Sequence, residues 1–262
     1  MDAEDGPSNT VSTTATSFSI LESLERHRGA TISEIAEDLD LAVSTVHRHL
    51  VAGLEEGYVV KDGTVYRIGL RFLEFGFSAR EQLPFYETAK DQIEVLAKRT
   101  DEKIRLTALE GYEAVLLYRH MGRSSLKTSS KIGNRRPLHQ LAAGKAMLAT
   151  LSREEIEMIL DKHGLPARTD YTITERGELF EELDEIRERG YAYNLEESIE
   201  GLNAVGAAFK DDDGYPLGAL SISGPANRIK GEKLHQELPD LLLSAVNEIE
   251  INLKYIDNPM WG

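Results

Sequence analysis

The stretch that decides the fold is residues 31–68, TISEIAEDLDLAVSTVHRHLVAGLEEGYVVKDGTVYRI. Residues 31–34, Thr-Ile-Ser-Glu, have the pattern of a capping box, in which a hydroxyl and a carboxylate bond reciprocally to backbone N–H groups at a helix start. After the connector 40–42, a second helix begins at Val43 and places Val46, Leu50 and Leu54 on its inner face at i, i+4 and i+8. Two short helices joined in this way are typical of a helix-turn-helix.

A hairpin follows the second helix. Gly57 can end that helix, and residues 58–60 and 65–68 alternate around a glycine-containing turn at 61–64. Helix, turn, helix and hairpin together predict a winged helix, whose second helix enters the DNA major groove by its N-terminal residues. The alternative is a small helical subdomain that only packs.

The candidate DNA contacts come from the tip of the second helix, the start of the first helix and the wing. Arg48 is the first candidate for a phosphate or guanine contact, and its alternative role is an ion pair with a nearby glutamate. Because one winged helix reads one half-site, geometry predicts a homodimer on double-stranded DNA with a pseudo-palindromic operator. The predicted DNA-binding residues are Thr31, Ser33, Ser44, Thr45, His47, Arg48, Lys61 and Arg67.

The charge balance is unusual for a DNA-binding protein. The 262 residues carry a net charge of −15, and residues 1–80 alone have thirteen acidic residues against seven lysines and arginines, a net charge of −6. Phosphate contacts normally require a basic surface. Either the chain does not bind DNA and instead docks a protein partner, or it works at salt concentrations that screen the repulsion. The acidic, cysteine-free composition favours a halophilic host.

Composition also excludes several other classes. Without cysteine there is neither a disulfide nor a thiolate metal site, and no apolar run reaches the roughly 18 residues of a membrane span. The acidic, Ser/Thr-rich beginning lacks the apolar core of a secretory signal and predicts a disordered tail over residues 1–16. We therefore expect a soluble, cytoplasmic protein without a metal or cofactor.

The remaining sequence predicts a domain boundary near residues 78–84. A helix over 17–28, with Phe18, Ile20, Leu21 and Leu24 inward, precedes the winged helix, and an apolar linker helix at 69–79 follows it. These elements predict a DNA-binding domain at 17–80 and a second domain at 81–257, whose first helix opens with Pro84 at its first position.

Strands and helices alternate in the second domain. Hairpins are predicted at 104–120 and 204–223, helices with capping boxes at 152–155 and 172–175, and a last amphipathic helix at about 230–255, while 133–138 is predicted as loop. The expected outcome is an α+β fold with a five- or six-stranded antiparallel sheet flanked by helices.

Several motifs resemble the IclR family of transcription regulators. Residues 41–60, LAVSTVHRHLVAGLEEGYVV, and 66–76, YRIGLRFLEFG, resemble its N-terminal domain, although Val43 stands where the family usually has Lys or Arg. RPLH at 136–139, AAGKA at 142–146 and LSISGP at 220–225 resemble its GAF-like ligand-sensing domain. The resemblance implies a regulator of catabolic genes that senses a small-molecule effector and forms dimers or dimers of dimers.

The resemblance also implies an effector pocket. It would use backbone N–H groups of the AAG segment and the two serines of the Ser-Ile-Ser strand, which alternation places on one face; the alternative is that the serines only hydrogen-bond locally. Asn194 and Ala204 stand where the family often has an acidic residue and a cysteine, which favours an organic or sugar acid. The predicted effector-binding residues are Ala142, Ala143, Gly144, Asn194, Ala204, Ser221 and Ser223.

An enzyme is the alternative from another class, in which the second domain turns over the metabolite. His139 could act as a base, yet no motif places a nucleophile beside it. Gly144-Lys145 is not a P-loop, because the first glycine of that motif is missing and Ala146 replaces Ser/Thr. We therefore expect no catalytic activity.

Overall fold

The structure is a computed structural model that describes residues 11–122 and 130–257. Its contacts divide the chain into two compact units, Met1–Gln82 and Leu83–Gly262. No helix in the described ranges is both long enough and apolar enough to cross a membrane.

The N-terminal unit is a winged helix-turn-helix. Its elements are α1 (Ser12–His27), α2 (Ile32–Asp38), α3 (Val43–Glu55), β1 (Val59–Asp62), β2 (Val65–Ile68) and α4 (Phe72–Glu81). The capping box forms as predicted: Glu34 N–H donates to the Thr31 hydroxyl, and the Glu34 carboxylate accepts from Thr31 N–H. Apolar residues of α1, α2, α3 and both strands, together with Ala30 between α1 and α2, form one core. Its members are Ile20, Leu24, Ala30, Ile35, Ala36, Val46, Leu50, Val59 and Tyr66.

Three expectations for this unit were wrong in detail. The first helix begins at Ser12, so residues 12–16 of the predicted disordered tail are helical, whereas residues 1–10 lie outside the described residues. Phe18 is 59% exposed, because Ile20 and Leu24 occupy the inner face of α1. The linker helix begins at Phe72, three residues later than predicted, and buries none of its residues.

The C-terminal unit contains a six-stranded antiparallel sheet with the strand order β5-β4-β3-β8-β7-β6. The α+β prediction is therefore confirmed. The strands are β3 (Lys103–Glu110), β4 (Glu113–His120), β5 (Arg135–Arg136), β6 (Ala192–Leu195), β7 (Leu202–Lys210) and β8 (Pro216–Pro225). The helices are α5 (Tyr86–Thr100), α6 (Ala142–Leu148), α7 (Arg153–His163), α8 (Arg176–Arg189) and α9 (Leu238–Asp257), the last preceded by a π-helical segment, Lys233–Glu237.

The two faces of this sheet have different coverings. One face, with Ile104, Leu106, Val205 and Leu220, packs in a core with α5 and α9. On the other, Ala219 packs in a core with α6, α7 and α8. That second face also carries the polar side chains of the central strands, so the candidate site lies there.

Three local predictions for this unit were wrong. Pro84 does not open α5, which begins at Tyr86 with Phe85 as its N-cap. The segment predicted as loop contains the short strand β5. Thr172 does not cap a helix, because its hydroxyl donates to the Glu197 carbonyl oxygen at 2.7 Å, and α8 begins only at Arg176.

Candidate functional site

The tip of α3 is a polar, solvent-facing surface. Packing of Val46 and Leu50 into the core turns the opposite side of the helix outward. Ser44, His47 and Arg48 are exposed there, and Thr45 is half-buried. This is the surface that a helix-turn-helix presents to the major groove.

Arg48 makes no ion pair among the residues that the structure describes. The glutamate pairing considered for it from the sequence is therefore absent from that part of the chain. Its neighbour His49 instead faces α1, where the imidazole Nδ1 and the Ser17 hydroxyl lie 2.8 Å apart. The guanidinium of Arg48 is accordingly turned toward solvent on the exposed side of α3.

The other predicted DNA contacts are more engaged with the protein itself. The Thr31 hydroxyl belongs to the capping box and donates to the Glu34 carboxylate at 2.8 Å, while Ser33 in the first turn of α2 is exposed. The Lys61 ammonium lies 5.0 Å from the centre of the Tyr66 ring. Arg67 pairs with Asp62 across the wing at 3.2 Å.

The second candidate site is a cavity of about 100 Å³ between the sheet and α6. Cross-strand pairing places Arg105 beside Ser221, and Asn194 beside Ala204, on the sheet face that forms its floor. The structure brings five of the seven predicted effector-binding residues to this cavity: Ala142, Ala143, Asn194, Ala204 and Ser221.

The remaining two predicted residues support the cavity without lining it. Gly144 faces away, against the backbone of Leu138, where an added Cβ would lie 2.7 Å from the Leu138 Cα. The Ser223 hydroxyl accepts a hydrogen bond from the Arg105 guanidinium at 3.0 Å. Ser223 therefore positions an arginine that lines the cavity.

Gly206 on β7 sets how closely α6 approaches the sheet. An added Cβ at this position would lie 2.5 Å from the carbonyl carbon of Ala142. Since backbone atoms cannot move aside as a flexible side chain can, the absent side chain is what lets α6 lie directly on the strand. The approach places Ala142 and Ala143 in the cavity wall.

Sequence reasoning missed the most strongly charged part of this cavity. Arg105, Arg136 and Arg168 line it together with Thr107, Asn134 and Ser198. The pKa of Arg105 is lowered to about 10 by burial and by the nearby charges of Arg119 and Arg136. One signal was available, because Arg105 interrupts the apolar strand run Ile104-Arg105-Leu106.

The Asn194 side chain joins two walls of the cavity through its hydrogen bonds. Its amide nitrogen donates to the Gln140 carbonyl oxygen at 2.7 Å, and its amide oxygen lies 3.4 Å from both the backbone nitrogen and the hydroxyl of Ser198. The Arg168 guanidinium donates to the Ser198 carbonyl oxygen at 3.1 Å. A hydrogen bond thus links Arg168 to the segment that contains Ser198.

A buried ion pair lies behind the cavity wall. Lys145 of α6 is 1% exposed, and its ammonium lies 2.8 Å from the Glu197 carboxylate and 3.4 Å from that of Glu182. Burial raises the pKa of Glu197, although the ammonium opposes this effect. The pair connects α6, which forms one wall, to the segment that carries Ser198.

His139 does not line this cavity. Its ring is buried, and its Nε2 lies 3.2 Å from the Pro166 carbonyl oxygen. Burial lowers the pKa of His139, and the imidazole is not among the groups that line the cavity.

Two family models match this chain. The IclR helix-turn-helix domain matches residues 15–63, and the model described as bacterial transcriptional regulator IclR C-terminal matches residues 77–251.

Individual relatives extend over nearly the whole chain. The transcriptional regulator KdgR of Escherichia coli is 33% identical over 96% of this chain and 96% of its own length. The probable transcriptional regulator ArcR of Halobacterium salinarum is 29% identical over 96% of this chain and 97% of its own length. Among solved structures, the IclR of Thermotoga maritima superposes with a TM-score of 0.78 at 32% identity, over 93% of this chain and 99% of that one.

The two matched regions follow one another in the order that the structure shows, with a helix-turn-helix domain before the sheet domain. The chain is a member of the IclR family of DNA-binding transcriptional regulators.

Proposed function

We propose that the chain is an effector-responsive regulator in which residues 17–80 bind operator DNA and residues 81–257 bind a small organic or sugar acid. The observation that carries the proposal is the tip of α3, where Ser44, His47 and Arg48 face solvent above a core made by Val46 and Leu50. The cavity lined by Asn194 and Ser221, with three arginines, supports an anionic effector.

The predicted oligomeric state follows from the geometry of the winged helix. One winged helix reads one half-site, so a homodimer, alone or as a pair of dimers, would read a pseudo-palindromic operator. Family membership supports catabolic genes as targets and the cytoplasm as the place of action. We propose no catalytic activity, since His139 is directed to a backbone carbonyl and not to the cavity.

The decisive experiment replaces Arg48 by alanine and measures affinity for genomic fragments selected by the wild-type protein. Losing a direct base contact costs about 1–3 kcal/mol, so we expect affinity to fall roughly ten- to hundredfold. Arg26→Ala is the matched control, because it removes the same charge from α1, where Arg26 already pairs with Asp38 at 3.0 Å. Equal affinities of Arg48→Ala and wild type would show that α3 does not read the operator.

The acidic balance of the chain leads us to propose that it binds DNA at high ionic strength. At such concentrations counterion release contributes little, and short-range contacts must carry the affinity. We expect a shallow decrease in operator affinity across a potassium chloride series. A steep loss above about 0.2 M salt would contradict this part of the proposal.

A further inference from the structure

Three guanidinium groups meet at one small cavity, although they come from distant parts of the sequence. Arg105 lies on β3, Arg136 on β5 and Arg168 in the segment before α8. None of the described lining residues is acidic. In a chain with a net charge of −15, this local excess of positive charge runs opposite to the overall balance.

Arg136 is close enough to repel each of the other two groups. Besides burial, the charges of Arg119 and Arg136 lower the pKa of Arg105, and the charge of Arg168 lowers the pKa of Arg136. Arg136 therefore lies within electrostatic range of both other groups. Repulsion of this kind disfavours the folded arrangement unless negative charge enters, so an anion that binds here gains from relieving it.

The hydrogen bonds of the two outer arginines hold them at different sides of the site. Arg105 donates to the Ser223 hydroxyl on β8 and has Ser130 at 3.4 Å. Arg168 donates to the Ser198 carbonyl oxygen, in the segment that follows β6. Guanidinium groups bind carboxylates and phosphates through paired N–H donors. Two arginines fixed on different walls thus suit two separate anionic groups.

Size limits the ligand further. A cavity of roughly 100 Å³ favours a compact ligand over a long-chain one. Thr107, Asn134 and Ser221 add neutral polar groups to the lining. A ligand with a short middle portion and a charge at each end fits this distribution.

We propose that the effector is a short-chain dianion, held by Arg105 at one end and Arg168 at the other, with Arg136 between them. A dicarboxylate has this chemistry, and a phosphorylated hydroxy acid likewise carries two anionic groups, a carboxylate and a phosphate with more negative charge. The inference rests on the proposed effector-binding function and narrows it from an organic or sugar acid to a compound with two anionic groups.

The test compares dianions with monoanions of matched chain length by isothermal titration calorimetry on the full chain at constant ionic strength. The pairs are malonate with propionate, succinate with butyrate, and 2-phosphoglycolate with glycolate. We expect the dianion of at least one pair to bind at least about tenfold more tightly, equivalent to 1.4 kcal/mol. The pair with the largest ratio distinguishes a dicarboxylate from a phosphorylated acid.

Variants assign the preference to the arginines. Arg168→Gln and Arg136→Gln should each reduce the dianion-to-monoanion ratio toward one. Arg135→Gln is the matched control, because it removes the same charge from the neighbouring position of β5, where Arg135 pairs with Glu110 outside the cavity. It should retain the ratio of wild type. Thermal melting of each variant identifies any that does not fold. Because two cavity variants are tested, one of them still decides the question if the other does not fold.

The outcomes separate the two proposals. Equal binding of dianions and monoanions, or a preference that both arginine variants retain, overturns the dianion inference even if operator affinity still responds to a ligand. Binding of a neutral metabolite with release of operator DNA, and of no anion, overturns it likewise while supporting an effector function. If no small molecule in a broad metabolite screen alters operator affinity, the effector function itself is contradicted.

Discussion

Arg67 in the N-terminal unit and Lys145 in the C-terminal unit each pair with a carboxylate, at 3.2 and 2.8 Å, but their surroundings differ. The side chain of Arg67 is 49% exposed and that of Lys145 is 1% exposed. Water and salt screen the first pair, whereas the second is embedded among packed helices. The charge of the Arg67 pair thus remains accessible to a large partner, whereas the charge of the Lys145 pair lies inside the protein, behind the wall of a small cavity.

The largest expected effect comes from breaking the buried pair. Lys145→Met should lower the free energy of unfolding by about 3–5 kcal/mol, because the Glu197 carboxylate would remain buried without its partner. Urea denaturation at neutral pH measures the change. Lys98→Met, at an exposed position of α5, is the control and should leave stability nearly unaltered. A loss of stability below about 1 kcal/mol in Lys145→Met would mean that the buried ion pair contributes no more than an exposed one.

The pH dependence of that loss provides a second measurement. Burial already raises the pKa of Glu197, and removing the ammonium raises it further. A group whose pKa is higher in the folded state contributes stability that is present at low pH and lost as pH rises through the folded-state pKa. The difference between wild type and Lys145→Met should therefore shrink as pH falls from neutrality toward the ordinary pKa of glutamate. A difference that is independent of pH would exclude Glu197 as its source.

Close packing against backbone should produce the next largest effect. Gly206→Ala forces α6 away from β7, because the new Cβ would meet the backbone of Ala142. Overpacking typically costs about 1–3 kcal/mol, and here it should also distort the cavity. Gly177→Ala, in α8 with no atom within 4 Å of its added Cβ, should instead stabilise the protein by roughly 0.4–1 kcal/mol. Chemical denaturation of both variants measures these opposite changes in the free energy of unfolding.

The smallest effect is expected for the wing. Arg67→Ala should alter the free energy of unfolding by no more than about 1 kcal/mol, the usual limit for an exposed ion pair. A double-mutant cycle with Asp62→Ala isolates the pairing. If the coupling free energy of Arg67 and Asp62 approached the value expected for Lys145 and Glu197, the different exposure of the two ion pairs would not explain their different contributions to stability.

The winged helix could be predicted from sequence because its signals are local. The capping box at Thr31, the spacing of Val46 and Leu50, and the turn at Gly63 each lie within a few residues of the structure they determine. The Gly63-Thr64 turn joins strands whose register follows directly from the two-residue loop. Such patterns need no knowledge of distant contacts.

The cavity could be predicted only in part, since its chemistry depends on residues that meet across the fold. The family resemblance indicated Ser221, but nothing in the sequence connects Arg105 with Arg136 and Arg168 before the sheet order is known. Thr172 illustrates the same limit. Its Thr-x-x-Glu pattern indicates a capping box, yet a tertiary bond to the Glu197 carbonyl takes the hydroxyl instead.

The threonine hydroxyls beside Arg168 have a structural consequence. The Thr172 hydroxyl donates to the Glu197 carbonyl oxygen at 2.7 Å, and the Thr169 hydroxyl is shared between the carbonyl oxygens of Glu196 and Glu197 at 2.9 and 3.1 Å. The Arg168 guanidinium donates to the next carbonyl oxygen along the chain, that of Ser198. These bonds join residues 168–172 to residues 196–198. Because Glu197 of this segment also pairs with Lys145, hydrogen bonds and one ion pair connect the Arg168 guanidinium in the cavity with the buried ammonium of α6.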